Sequence, residues 1–129
     1  MQHENNVLPA RISRIIQKFS VYEIDSLIFF NMNNIRYLSG FTGSDGVLII
    51  TEKKIILLVD GRYTIQAQAE AAGIEIVEYR DKISGISGAA RDLDIKHIGF
   101  EADSIFVQLY NQLIRQLPDK IMVPLGKEL

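Results

Sequence analysis

The sequence predicts an α/β layered domain built around a mixed sheet, and three observations carry that prediction. Two short runs rich in Ile, Leu and Val, residues 46–51 and 55–60, are separated only by Glu52, Lys53 and Lys54. Neither run alternates apolar with polar, so both read as strands buried on two faces, joined as an antiparallel hairpin at the centre of the sheet. Around the hairpin, other strand-like runs alternate with segments of helical period, the pattern of a layered α/β domain. The length, 129 residues, suits a single domain with a sizeable core.

Taken in order, residues 1–6 are polar and read as a frayed end. Leu8, Ile12, Ile15, Ile16 and Phe19 recur at spacings of three and four, which predicts a helix over 9–19 with Pro9 in its first turn. Residues 26–30 form the first strand, which Asn31, Met32, Asn33 and Asn34 end in a turn. A short helical turn over 35–38 leads into a glycine-punctuated loop, 40–46, and the hairpin. Residues 62–72, rich in Ala and Gln and followed by Gly73, predict a helix with a glycine stop. Residues 74–79 alternate as a half-exposed strand. Ile83, Ile86, Ala90 and Leu93 predict a helix over 81–93, against the cost of Gly85 and Gly88 within it. Residues 97–101 form a strand, Asp103 or Ser104 can cap the next helix, whose apolar face is Phe106, Leu109, Tyr110, Leu113, Ile114 and Leu117, Pro118 stops it, and 121–123 form the last strand.

Composition narrows the function. A net charge of −2 argues against a general nucleic-acid binder, and no apolar run approaches the ~20 residues of a membrane span. The start, Met1 to Asn6, lacks the basic and apolar regions of a secretory signal. The absence of cysteine excludes disulfides and thiolate-bound metals and fits a cytoplasmic protein. His3 and His97 stand alone, without a second histidine at helical spacing, so no catalytic centre and no metal site are assigned.

The stretch NIRYLSGFTGSDGVLIIT followed by ILLVDGRYTIQA resembles the amino-terminal domain of the creatinase, prolidase and aminopeptidase P family, the pita-bread metallopeptidases. The combination of Tyr37-Leu38-Ser39-Gly40-Phe41 with Asp60-Gly61-Arg62-Tyr63 carries the resemblance. It implies a three-layer fold, a mixed sheet of about six strands with helices on both faces. It also implies that catalysis, with two divalent ions (Mn, Co or Zn), belongs to a separate domain that this chain lacks. The chain itself would need no cofactor. Its partners would be that catalytic domain and a second copy in a homodimer. The chain stops where the family's catalytic domain would begin, which implies a shortened product of a longer gene. The alternative is a free-standing α/β interaction module that kept the fold without the enzyme.

Two groups of residues are singled out. Asp60, Gly61, Arg62 and Tyr63 read as a structural corner, with Arg62 paired to Asp60 or Asp45, Asp60 accepting N–H groups at the helix start and Tyr63 packed under the sheet. Loss of Asp60 or Arg62 is expected to lower stability clearly, as for a partly buried charged pair. Arg36, Tyr37 and Phe41 are expected at the surface at one end of the sheet. The resemblance places this region at an active-site rim, where an arginine could grip a substrate carboxylate. On the other reading Arg36 is a solvated side chain and Tyr37 belongs to the core. The 40–46 loop lacks the Lys-Ser/Thr and following helix of a phosphate cradle, so its glycines are expected to supply positive φ angles for a tight turn. Ser44 beside Asp45 has no histidine nearby in sequence and makes no triad.

Overall fold

The computed structural model describes residues 9–126. The fraying expected for residues 1–6 and the placement of His3 lie outside them. Six strands form one mixed sheet in the order β4-β3-β2-β1-β5-β6. They are β1 (Ser26–Phe29), β2 (Val47–Thr51), β3 (Ile55–Asp60), β4 (Glu75–Tyr79), β5 (His97–Glu101) and β6 (Ile121–Leu125). β2 is antiparallel to both β1 and β3, and the remaining pairs are parallel. All strands except β2 therefore end at the same edge of the sheet.

Helices cover both faces. α1 (Ala10–Gln17), α2 (Phe19–Tyr22), α3 (Met32–Ser39) and α4 (Thr64–Glu70) lie on one face. α5 (Lys82–Asp92) and α6 (Val107–Gln116) lie on the other. Successive strand side chains point to opposite faces, and both faces are apolar. Leu48 and Ile50 of β2 enter the first core with Leu57 and Val59 of β3; Val47 and Ile49 enter the second with Ile56 and Leu58. Burial on both sides is why these runs fail to alternate in sequence. Thr51 closes the hairpin: its hydroxyl accepts from the N–H groups of Lys53 (3.2 Å) and Lys54 (2.9 Å).

Several boundaries differ from the sequence prediction. Asn31 does not end in a loose turn: its side chain accepts from the N–H groups of Asn33 and Asn34 and starts α3, so the next three residues are helical. Asn serves turns and N-caps by the same side-chain bond, and here the cap wins. The predicted 9–19 helix divides into α1 and α2 around Lys18. Asp103 and Ser104 do not cap α6, whose N-cap is Phe106 without a side-chain bond; the Ser104 hydroxyl donates to Asp103 and its N–H to the Glu101 carbonyl, forming the preceding turn. α4 starts at Thr64, two residues later than predicted, because Gly61, Arg62 and Tyr63 form a turn.

Candidate functional site

In open α/β sheets, functional crevices form outside the carboxyl ends of strands. That edge here gathers α3, the 40–46 loop, the turn after β3 and the first turn of α5. Asp60 and Tyr79 are register partners at the ends of β3 and β4. The Asp60 carboxylate accepts from the backbone N–H of Arg62 at 2.9 Å and from its guanidinium, with Nη2 at 2.8 Å. The hydrogen bond from the Arg62 side chain, then that from its backbone, lowers the Asp60 pKa below 3.8. Asp60 thus shapes the turn and does not cap α4, whose N-cap is Tyr63 without a side-chain bond. The pair is open to water: the Arg62 side chain is 71% exposed and that of Asp60 23%. Screening weakens an exposed pair, so the large loss expected for a partly buried one is replaced by a modest one.

Asp45 takes another cation, Lys82 of α5, at 2.7 Å, and also accepts weakly from the Tyr79 hydroxyl at 3.5 Å. Burial, with the Asp45 and Asp60 carboxylates next, pushes the Tyr79 pKa up to about 12. The Ser44 and Tyr63 hydroxyls hydrogen-bond to each other. His97 begins β5 at the opposite edge of the sheet and is remote from Ser44. Thr42 donates its N–H (2.8 Å) and hydroxyl to Glu70, and these two bonds lower the Glu70 pKa, with the Arg36 charge a minor cause. Of the loop glycines only Gly40 has a positive φ, +86°.

The structure does not gather Arg36, Tyr37 and Phe41 on one surface. Arg36 is exposed on α3. Tyr37 is 58% exposed and turns to α1, where the Arg11 guanidinium stacks 4.5 Å from its ring centroid and donates to its carbonyl oxygen. Phe41 is wholly buried, contrary to the expectation of a surface ring. A Cβ at Gly43 would overlap the Phe41 ring, and the Tyr63 ring meets it edge-on with centroids 5.8 Å apart. Gly43 and Tyr63 make the pocket that this ring enters, and only the fold brings them together. On the Tyr37 side of α3 lies a groove of about 600 Å³, with Phe19, Leu27 and Phe29 at its base and Arg11, Arg14 and Lys18 at its mouth.

One residue at this edge carried no sequence signal. Glu101, at the end of β5, is 2% exposed and accepts from the N–H groups of Phe30 (2.6 Å) and Asn31 (2.8 Å) and from the Asn34 amide. A carboxylate ending a strand is ordinary in sequence; its donors lie about 70 residues away, consistent with a contact that only topology creates. Among the described residues no group of three or more His, Cys, Asp or Glu could hold a metal ion. No helix among the described residues is long and apolar enough to cross a membrane.

A mixed six-stranded sheet with the Tyr37–Phe41 and Asp60–Tyr63 segments at one edge defines the class. The chain belongs to the Creatinase/Prolidase N-terminal domain family, whose pattern matches residues 11–129. It is 30% identical over 118 residues to the uncharacterized peptidase YqhT of Bacillus subtilis (strain 168), an alignment covering 91% of this chain and 33% of that protein. The chain thus spans about a third of that curated relative. It superposes on an Xaa-Pro dipeptidase from Bacillus anthracis with a TM-score of 0.85 and 30% identity, over 90% of this chain and 33% of that one. It also superposes on the N-terminal domain of cytoplasmic peptidase PepQ from Mycobacterium tuberculosis, with a TM-score of 0.84 and 28% identity, over 91% and 93% of the two chains.

Proposed function

We propose that this chain is the non-catalytic amino-terminal domain of a cytoplasmic, metal-dependent Xaa-Pro peptidase, and that it shapes access to a metal site carried by a catalytic domain of the same protein. The observation that carries this reading is the match of nearly the whole chain to one third of an Xaa-Pro dipeptidase. The edge of the sheet supports it further. Its carboxylates are engaged with cations and hydroxyls, whereas the Arg36 side chain makes no hydrogen bond among the described residues and stands exposed, with only the Glu70 charge near it. A guanidinium so placed can hold a carboxylate through two parallel bonds. Phe106, 85% exposed, and Val107 beside it give α6 an apolar surface suited to a homodimer or interdomain contact.

In the protein extended by its downstream coding sequence, Arg36→Ala should raise KM for a short Xaa-Pro substrate about tenfold and leave kcat nearly unchanged, the signature of lost uniform binding. Unchanged kinetics would refute the rim role. The free-standing interaction module gains support only if the reading frame ends here and no peptidase activity accompanies the natural protein.

A further inference from the structure

Glu101 combines two properties that seldom coincide. It is almost wholly buried, and among the described residues it forms no ion pair. A buried carboxylate persists only where hydrogen bonds replace the water it has lost. Among the described residues, the donors to its side chain lie just before α3 and in its first turn. The N–H groups of Phe30 and Asn31 share Oε1 at 2.6 and 2.8 Å, and the Asn34 amide serves Oε2. The Asn31 side chain meanwhile caps α3 through the N–H groups of Asn33 and Asn34. Glu101 therefore holds the capping residue, and the capping residue holds the helix. Such charge-assisted bonds are about twice as strong as neutral ones, and a carboxylate beside a helix amino terminus also suits its dipole.

The backbone at Glu101 is tied in the other direction. Glu101 is the register partner of Leu125 at the end of β6, and the next N–H, that of Ala102, donates to the Leu125 carbonyl at 2.8 Å. One residue thus joins the end of β6 to the start of α3.

We propose that Glu101 is a positioning residue, which fixes α3, and with it Arg36, relative to the end of β6. Its role in catalysis rests on the rim reading above; its role as the anchor of α3 does not. β6 is the last strand among the described residues, so a domain following it in the chain would start from a point tied through Glu101 to the start of α3. The anchor works through hydrogen bonds whose acceptor charge matters. Glutamine keeps one oxygen for the backbone donors and can meet Asn34 only if that amide turns over, whereas alanine removes every acceptor.

The test has two arms. In the 129-residue chain, amide hydrogen exchange is followed for Glu101→Gln, Glu101→Ala and the milder Asn34→Ala, which removes a single bond. Exchange of the Phe30, Asn31 and α3 amides should rise about tenfold in Glu101→Ala, less in the other two, while the β2–β3 hairpin amides stay protected. If α3 exchange is unchanged in all three, or rises no more than the hairpin's, Glu101 is not the anchor. In the extended peptidase, Glu101→Gln should raise KM with kcat nearly constant. If α3 loosens while KM does not move, the anchor stands, and the placement of Arg36 at the substrate rim falls.

Discussion

Phe41 lies between glycines in a polar loop, yet no water reaches it, because Gly43 leaves room for its ring and Tyr63 meets it edge-on. Phe41→Ala should cost about 3–5 kcal/mol, the range for emptying an aromatic site, and a urea titration measures it. A loss no larger than that of a surface residue would show that the loop can move without its ring. Asp60 makes the opposite case, a polar residue whose contribution depends on pH. Arg62 holds its pKa below 3.8 through side-chain and backbone bonds. A carboxyl depressed on folding contributes stability that is complete above its unfolded pKa and lost as pH falls through its folded value. The Asp60→Asn protein should therefore melt slightly below wild type near neutrality, and the two melting curves should converge as pH falls through and below the usual carboxylate range. A constant gap across that range would show that the carboxylate charge is not what the corner uses. Arg62 is largely exposed, so the gap should be small.

At the scale of elements, the packing of α5 accounts for one of the two glycines that spoke against it. A Cβ on Gly85 would lie 2.7 Å from Cβ of Tyr79, so this glycine lets the helix pack against β4; a Cβ on Gly88 meets nothing within 4 Å. Gly85→Ala should destabilise by about 1–3 kcal/mol through overpacking, and Gly88→Ala should stabilise by about 0.5–1 kcal/mol through helix propensity. Thermal melts of the two variants give the signs; equal effects would contradict this packing of α5. The hairpin and the helical face of α6 were legible because burial writes itself into apolar runs and three- and four-residue spacing. α3 was legible only in its second half, since Asn31 offers the same side-chain bond to a turn and to a helix cap. The start of α6 was misplaced because Asp103 and Ser104 spend their polar groups on the turn before it. Of the candidate site, the Asp60–Arg62 corner is local and could be read from neighbours in sequence. The reach of Glu101 to α3 depends on strand order, which no local pattern encodes, and the burial of Phe41 depends on Tyr63 closing over it from the far end of the hairpin.

At the scale of the whole molecule, the architecture divides labour along the sheet. The hairpin strands supply the two-sided core, and the carboxyl edge presents α3, its anchor and an exposed arginine. The described residues offer no donor set for a metal, while the chain matches one third of an Xaa-Pro dipeptidase. On the proposed reading, this module serves catalysis carried elsewhere in a longer peptidase. The most direct measurement compares the purified 129-residue chain with the protein extended by its downstream coding sequence. Each is incubated with Mn²⁺, Co²⁺ or Zn²⁺ and an Xaa-Pro dipeptide, and released amino acid is counted. The extended protein should hydrolyse the dipeptide, lose activity to a chelator and regain it with metal, while the chain alone releases nothing. Metal-dependent turnover by the 129-residue chain that survives repurification, or no turnover by the extended protein with any of the three metals, would contradict the claim.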